Sequence, residues 1–149
     1  ILISNVHNSK MDVAQSDRVE IFFRKDETLK EYYCLEIDPK GKVLDYKASY
    51  YRKFDENWSW PKGHLFVTGE NIKGGYKVEV SISLKSLKDL GLLKNDEIES
   101  GIYRGNCIEL PSKENIDGKI KWISWINPMT DMPDFHVPNS FGILKLENF

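Results

Sequence analysis

The chain has 149 residues, of which 40% are hydrophobic, 30% charged and 12% aromatic. This is the composition of one globular domain, and it excludes a disordered tail, a collagen-like fibre and a disulfide-dense miniprotein. Its 21 basic and 23 acidic side chains are interspersed and give a net charge of -2, so neither a nucleic acid nor an anionic membrane is expected as its main partner.

The chain opens on a short apolar run, Ile1 to Val6, that is typical of the inside of a strand. It has neither the basic region nor the cleavage pattern of a signal peptide, and no run in the chain reaches the roughly 18 residues of a membrane-spanning helix. Because the sequence starts in this way and without a Met, we expect that something upstream of Ile1 is missing.

Further along the chain the dominant hydrophobic period is two, which predicts strands with one buried and one wet face. A helix is predicted only for residues 84–91, with Ser83 as its N-cap and Gly91 as its stop. Many strands and one short helix favour an all-β fold, an antiparallel β-sandwich similar to a jelly roll, in a single domain. With the opening run, about eight strands are predicted, over residues 1–6, 19–23, 32–38, 43–51, 76–84, 101–110, 119–126 and 141–146.

The sequence contains little that indicates catalysis or a metal site. Cys34 and Cys107 lie within predicted strands, where they are either buried thiols or a disulfide. The three histidines, His7, His64 and His136, are scattered, and no zinc-site spacing, GxSxG elbow or phosphate loop is present. Acidic residues are plentiful, but nothing singles out a pair at the separation that a glycosidase needs.

Two segments rich in aromatic and polar residues, 50–60 and 122–136, are more informative. Flat rings beside carboxylates, amides and guanidinium groups suit a sugar, whose C–H-rich face stacks on a ring while its hydroxyls need donors and acceptors. The alternative is that these rings cap the core. In a regular strand Trp122 and Trp125 point to opposite faces, so at most one of them is expected to face a ligand.

Several segments, in order along the chain, resemble the family nine carbohydrate-binding modules, and most closely their family nine-like bacterial subgroup. The resemblance spans essentially the whole chain. It implies a β-sandwich that binds oligosaccharide or polysaccharide without cleaving it, secreted with a signal peptide or linked to glycoside hydrolases that degrade plant polysaccharides such as xylan. The matching segments are Ser16 to Phe23, Tyr32 to Ile37, Gly75 to Ile82, Asn106, Ser124 to Pro128 and Pro133 to Gly142.

The resemblance also implies roles for individual residues. Family members hold a sugar between two rings, and Phe135 matches the second ring while Glu20 matches a glutamate that bonds the hydroxyls. The first ring position falls near Ala14, where this chain has no aromatic residue. Either Trp58 or Trp60 supplies that wall, or the ligand is held differently, or the sugar site has been lost. The expected contacts are Glu20, Trp58, Trp60, Arg104, Asn106, Trp125, Phe135 and His136.

The resemblance leaves other readings open. Family members have strands before the one that matches Ile1 to Val6, so the domain is expected to lack its first strands here. An extracellular or periplasmic location is expected, and a glycoside hydrolase is the alternative function. Related sandwiches also bind haem or calcium. The available side chains are Met11, Met129, Met132 and His136 for haem, and Asn115, Asp117 and Asp131 for calcium.

Overall fold

A computed structural model describes residues 9–116 and 118–147. The elements follow in chain order: a 3-10 helix Lys10–Gln15, β1 Arg18–Arg24, β2 Tyr32–Ile37, β3 Val43–Ser49, β4 Lys53–Asp55, β5 Leu65–Ile72, β6 Gly75–Ile82, α1 Leu84–Asp89, β7 Leu93–Lys94, β8 Glu97–Glu109, β9 Lys119–Ser124, a 3-10 helix Pro138–Ser140 and β10 Gly142–Lys145.

Most strands form one antiparallel sheet with the order β10-β8-β1-β2-β3-β4, in which β7 and β9 also pair with β8. The long strand β8 is therefore the organising element, since β10 pairs with its first half and β9 with its second half. The hairpin β5-β6 forms a second, separate sheet.

The main sheet has two faces that follow from the alternation of side chains along β1. One face, which we call the cleft face, carries Arg18, Glu20 and Phe22. The other, the hairpin face, carries Val19 and Ile21. Because Phe22 is paired with Cys34 and Gly101 in the two neighbouring strands, their register extends each face across β2 and β8.

Each face has its own hydrophobic core. The hairpin face packs against β5-β6 and α1, which gives the two layers of a sandwich. The cleft face is covered by the 3-10 helix Lys10–Gln15 and by the segment around Phe135 and Phe141. Strand β2 lies between these cores, and all six of its residues are buried.

The hairpin is held close to the main sheet by two glycines. Gly41, in the turn between β2 and β3, has φ of +79° and packs directly on Gly69 in the middle of β5. A Cβ atom on Gly69 would lie only 2.2 Å from the backbone nitrogen of Gly41. Only glycine therefore allows the two layers to approach so closely here.

The all-β sandwich is confirmed, and so is the short helix, which begins after Ser83, whose hydroxyl accepts a hydrogen bond from the Ser86 backbone N–H at 3.1 Å. Strands β5, β7 and the small β4 were not predicted. Strand β5 was missed because its apolar residues do not all lie on one face: Phe66 is 65% exposed. The predicted strand over residues 1–6 lies outside the described residues.

Cys34 and Cys107 are both free thiols in buried positions, so the disulfide alternative is wrong. Burial raises the pKa of the Cys34 thiol far above its ordinary value, which keeps it protonated and unreactive. Within residues 9–116 and 118–147, no helix has the length and apolar character required to cross a membrane.

Candidate carbohydrate-binding site

Two glutamates meet on the cleft face of the main sheet. Glu20 in β1 and Glu36 in β2 are directly paired across the two strands, so their side chains leave the sheet side by side. Arg18, two residues before Glu20, projects from the same face. Strand pairing alone therefore gathers two carboxylates and one guanidinium group in one place.

Arg18 lies between the two glutamates. Its Nε atom is 2.7 Å from Glu20 Oε1 and 2.8 Å from Glu36 Oε2. The side chains are only 5% and 9% exposed for the two glutamates, so these ion pairs are shielded from water. The other end of the guanidinium group is already used, because Nη1 donates to the backbone oxygen of Ala14.

The single Nε–H of Arg18 donates to Glu20, and Glu36 Oε2 accepts no hydrogen bond although it is buried. The other oxygen of Glu36 accepts from the Tyr46 hydroxyl at 3.1 Å. Burial, together with the facing charge of Glu36, raises the pKa of Glu20 well above its ordinary value. Two carboxylates that share one cation therefore favour holding a proton.

Aromatic rings form one wall beside these charges. Trp122, in β9, lies under the Arg18 guanidinium group, whose central carbon is 4.9 Å from the ring centre. Phe135 meets Trp122 edge to face at 5.1 Å and stacks flat on Tyr103 at 4.0 Å. These contacts fix the orientation of both rings. Phe135 is only 6% exposed, so it mainly supports Trp122, whose partly buried ring is the apolar surface left for a sugar to pack against.

The segment around His136 and strand β4 contribute further lining residues. His136 Nδ1 is 3.0 Å from the Tyr32 hydroxyl, and its ring lies 4.9 Å from that of Phe54. Asp134 accepts from Arg52 at 3.1 Å and from the backbone N–H of His136 at 3.0 Å. Burial, and then the charge of Arg52, lower the pKa of His136 to about 4, so the imidazole is neutral at physiological pH.

Together these groups enclose a cleft of about 270 Å³ on the cleft face. A volume of this size accommodates a sugar ring or a short end of an oligosaccharide. The floor is polar and the walls are aromatic. The cleft is lined by Met11, Ala14, Arg18, Glu20, Glu36, Leu44, Tyr46, Arg52, Phe54, Glu56, Trp122, Pro133, Asp134, Phe135 and His136.

Of the residues expected to bind sugar, Glu20, Phe135 and His136 are brought together in this cleft. Trp58 and Trp60 are not, because both pack into the core of the hairpin face. Trp60 is buried there and its indole N–H donates to the Ser86 hydroxyl at 3.1 Å.

Arg104, Asn106 and Trp125 also lie away from the cleft. Arg104 pairs with Val19 and so points to the hairpin face, where its guanidinium carbon lies 5.5 Å from the ring centre of Tyr76. Asn106, two residues further along β8, shares that side. Trp125 is 46% exposed and follows the end of β9, outside the lining of the cleft.

Trp122, like Arg18 and Glu36, lines the cleft although the sequence alone does not single it out. Its alternation with Trp125 predicts that only one of the two rings faces the cleft, but it does not tell which one. The pairing between β8 and β9 decides this, because Trp122 lies opposite Gly105 on the cleft face. Of the aromatic residues at 50–60, Phe54 is the one that lines the cleft and so takes the place expected for Trp58 or Trp60.

The residues considered for metal or haem are distributed differently. Among the described residues, no three His, Cys, Asp or Glu side chains come together as a metal-binding group. His7 and Asp117 lie outside the described residues. Met11 and His136 line the same cleft, whereas Met129 and Met132 are exposed in the connection after β9.

Comparison with known proteins agrees with the fold. A family model described as carbohydrate family 9 binding domain-like matches residues 4–149. The fold is similar to the crystal structure of a candidate carbohydrate-binding protein from Bacteroides uniformis, with a TM-score of 0.62 and 17% sequence identity over 98% of this chain and 67% of that chain. At this identity the similarity concerns the fold alone. No curated protein matches the chain.

Proposed function

This chain belongs to the carbohydrate family 9 binding domain-like family, and we propose that it binds the end of a saccharide, without cleaving it, in the cleft that Trp122 and His136 line. The observation that carries the proposal is the combination of oriented rings and buried charges in one cavity. Trp122 and Phe135 supply apolar surface for a sugar face, while Glu20, Glu36 and Arg18 supply hydrogen-bonding partners for its rim.

A secreted location beside enzymes that degrade polysaccharides is part of the same proposal. It is supported by family membership, since a noncatalytic binding domain is useful where it keeps an enzyme near an insoluble substrate. Fractionation of the native host, followed by detection of the protein with an antibody, tests the location. Detection in the culture medium or periplasm supports this part, and detection in the cytoplasm alone contradicts it.

Calorimetry with oligosaccharides from xylan, cellulose, pectin and marine polysaccharides tests the binding itself. We expect saturable binding of at least one class, competed by a second ligand of the same class. Absence of binding across the whole panel contradicts the proposal.

One observation favours an enzyme as the second candidate. Glu20 and Glu36 are a carboxylate pair in which burial and the neighbouring charge raise the pKa of Glu20, as in the general acid of a glycosidase. However, both contact one Arg18 nitrogen, whereas a glycosidase uses carboxylates that flank the scissile bond. Release of reducing sugar from the same oligosaccharides, abolished in Glu20→Gln, supports hydrolysis. Its absence supports binding alone.

A further inference from the structure

Exposed aromatic rings concentrate at the turn between β3 and β4. Of the five exposed aromatic side chains within residues 9–116 and 118–147, three lie in the short stretch 50–54, namely Tyr50, Tyr51 and Phe54. Tyr50 and Tyr51 are 51% and 49% exposed. A single apolar side chain in water is ordinary, but a cluster of exposed rings is typical of a binding surface.

This cluster is continuous with the cleft. Arg52, Phe54 and Asp134 line the cleft, and Arg52 and Phe54 are also exposed. Side chains that both line a cleft and reach solvent lie at its mouth. Tyr51 is joined to them, because its hydroxyl donates to Asp134 and its ring centre is 6.0 Å from the guanidinium carbon of Arg52. The turn and the mouth of the cleft therefore form one surface.

Hydrogen bonds hold this surface in place. Asp134 Oδ2 accepts from the Tyr51 hydroxyl, and Asp134 Oδ1 accepts from Arg52 Nη1 at 3.1 Å and from the backbone N–H of His136 at 3.0 Å. The backbone N–H of Tyr50 donates to the Leu29 oxygen at 2.9 Å. The Tyr51 ring is thus fixed although half of its surface remains in water. A fixed ring loses little conformational freedom when a ligand packs on it.

The two tyrosine rings do not form one flat platform. Their centres are 5.4 Å apart and their planes are inclined by 60°, so a sugar ring can lie flat on only one of them. Tyr51 is the ring bonded to the lining of the cleft. Beside it, Arg52 uses Nη1 for Asp134, and its exposed guanidinium group has further N–H donors for sugar hydroxyls. A ring face next to fixed donors suits a sugar unit.

We propose that Tyr51 and Arg52 form a second sugar subsite at the mouth of the cleft, so that the cleft holds the terminal unit of a saccharide and the next unit stacks on Tyr51. This inference rests on the proposed function, since it names the ligand of the same cleft as an oligosaccharide of two or more units rather than a monosaccharide. The cleft of about 270 Å³ accommodates the end of the chain, and the following unit leaves through the mouth, where these two side chains reach solvent.

Calorimetry on the unaltered protein tests the inference with xylo-, cello-, galacturono- and agaro-oligosaccharides of one to four units. For the class that binds, we expect the affinity to rise about fivefold or more from one unit to two, because stacking on one aromatic ring contributes on this scale. The same affinity for one and two units overturns the inference and leaves the proposed function standing. If no member binds at any length, both fail.

Two variants of one residue assign the gain to the aromatic ring. Tyr51→Phe and Tyr51→Ala both lose the hydroxyl that contacts Asp134, but only Tyr51→Ala loses the ring. We expect Tyr51→Ala to bind the two-unit ligand about fivefold more weakly than Tyr51→Phe does, and both variants to bind the one-unit ligand equally. Equal affinities of the two variants for the two-unit ligand overturn the assignment to Tyr51.

Phe66→Ala is the matched control, since Phe66 is an exposed aromatic residue on β5 that lies outside the lining of the cleft. It is expected to bind ligands of both lengths as the unaltered protein does. A loss of affinity for the two-unit ligand as large as that in Tyr51→Ala contradicts the position of the subsite. Should Tyr51→Ala fail to fold, the length series on the unaltered protein still decides.

Discussion

Arg18 is the residue on which the cleft depends most. Its side chain contacts both buried glutamates, the backbone at Ala14 and the face of Trp122, so one residue links the polar floor to the aromatic wall. The strand pattern and the family resemblance predict a role for Glu20, but neither predicts one for Arg18 or Glu36. Their roles follow from the pairing of β1 with β2, which a single sequence does not specify.

Trp122→Ala is expected to weaken saccharide binding by about 1 kcal/mol or roughly fivefold in affinity, because it removes one aromatic wall. Calorimetry with a ligand identified for the unaltered protein measures the change. Trp125→Ala is the matched control, since Trp125 is half exposed and lies outside the cleft. A larger loss of affinity in the Trp125 variant than in the Trp122 variant contradicts the location of the site.

The stability of the protein is expected to fall as the pH rises from about 6.5 to 8. The folded-state pKa of Glu20 is raised from 4.5 to about 8, so folding binds a proton that the unfolded chain releases. His136 acts in the opposite direction and at lower pH. Its pKa is lowered from 6.5 to about 4, so the unfolded chain binds a proton there that the folded protein does not, and stability falls as the pH drops below 6.5. Denaturant unfolding at several pH values measures both trends.

Glu20→Gln provides the control for this pH dependence. The amide cannot titrate, so the decline in the free energy of unfolding between pH 6.5 and 8 is expected to become shallower. A decline that is equally steep in the variant shows that another group is responsible.

At the scale of elements, the register of β8 decides where functional side chains point. Arg104 and Asn106 lie in the same strand as Tyr103, but their side chains project from the other face of the sheet, towards the hairpin rather than the cleft. Periodicity predicted this alternation, and it predicted β6 and α1 well, because their apolar residues follow a clear spacing. It could not say which face of β8 carries the cleft, since both faces of the main sheet are packed.

The contact between Gly69 and Gly41 is expected to control how the hairpin packs on the main sheet. In Gly69→Ala the new methyl group would lie 2.2 Å from Gly41 N and 2.6 Å from Pro39 O, so backbone must shift at a cost of about 1–3 kcal/mol. Urea unfolding followed by tryptophan fluorescence measures the loss. Trp60 reports directly because it belongs to the core beneath the hairpin.

Gly75→Ala is the control for that substitution. Gly75 begins the partner strand β6, and a Cβ atom there meets nothing within 4 Å. Its free energy of unfolding is expected to stay within about 0.5 kcal/mol of the unaltered protein. If Gly69→Ala and Gly75→Ala lower the free energy of unfolding equally, the loss at Gly69 does not come from the close approach of the two layers.

At the scale of the whole molecule, the two faces of the main sheet are packed differently. The hairpin face is closed by β5-β6, α1 and the two tryptophans of the 50–60 segment, which together form an apolar core. The cleft face carries the buried charges and the rings that leave a cavity between them. The aromatic residues of one segment therefore serve opposite purposes, with Trp58 and Trp60 in the core and Phe54 beside the cleft.

This division explains how far sequence reasoning reached. The fold class follows from strand periodicity, and the family motifs lie in the right order for the family. Whether an aromatic ring lies in the core or faces a ligand depends on tertiary packing. The same residue types in the same kind of segment occur in both situations, so the sequence does not distinguish them. The expectation that further strands precede Ile1 stays a prediction.

The most direct test of the central claim is a crystal structure of the protein with a bound oligosaccharide. We predict electron density for a sugar ring in the cleft, packed against Trp122 and Phe135 and within hydrogen-bond distance of Glu20 or Glu36. Density on the opposite side of the sheet, beside Arg104 and Tyr76, with an empty cleft would contradict the account.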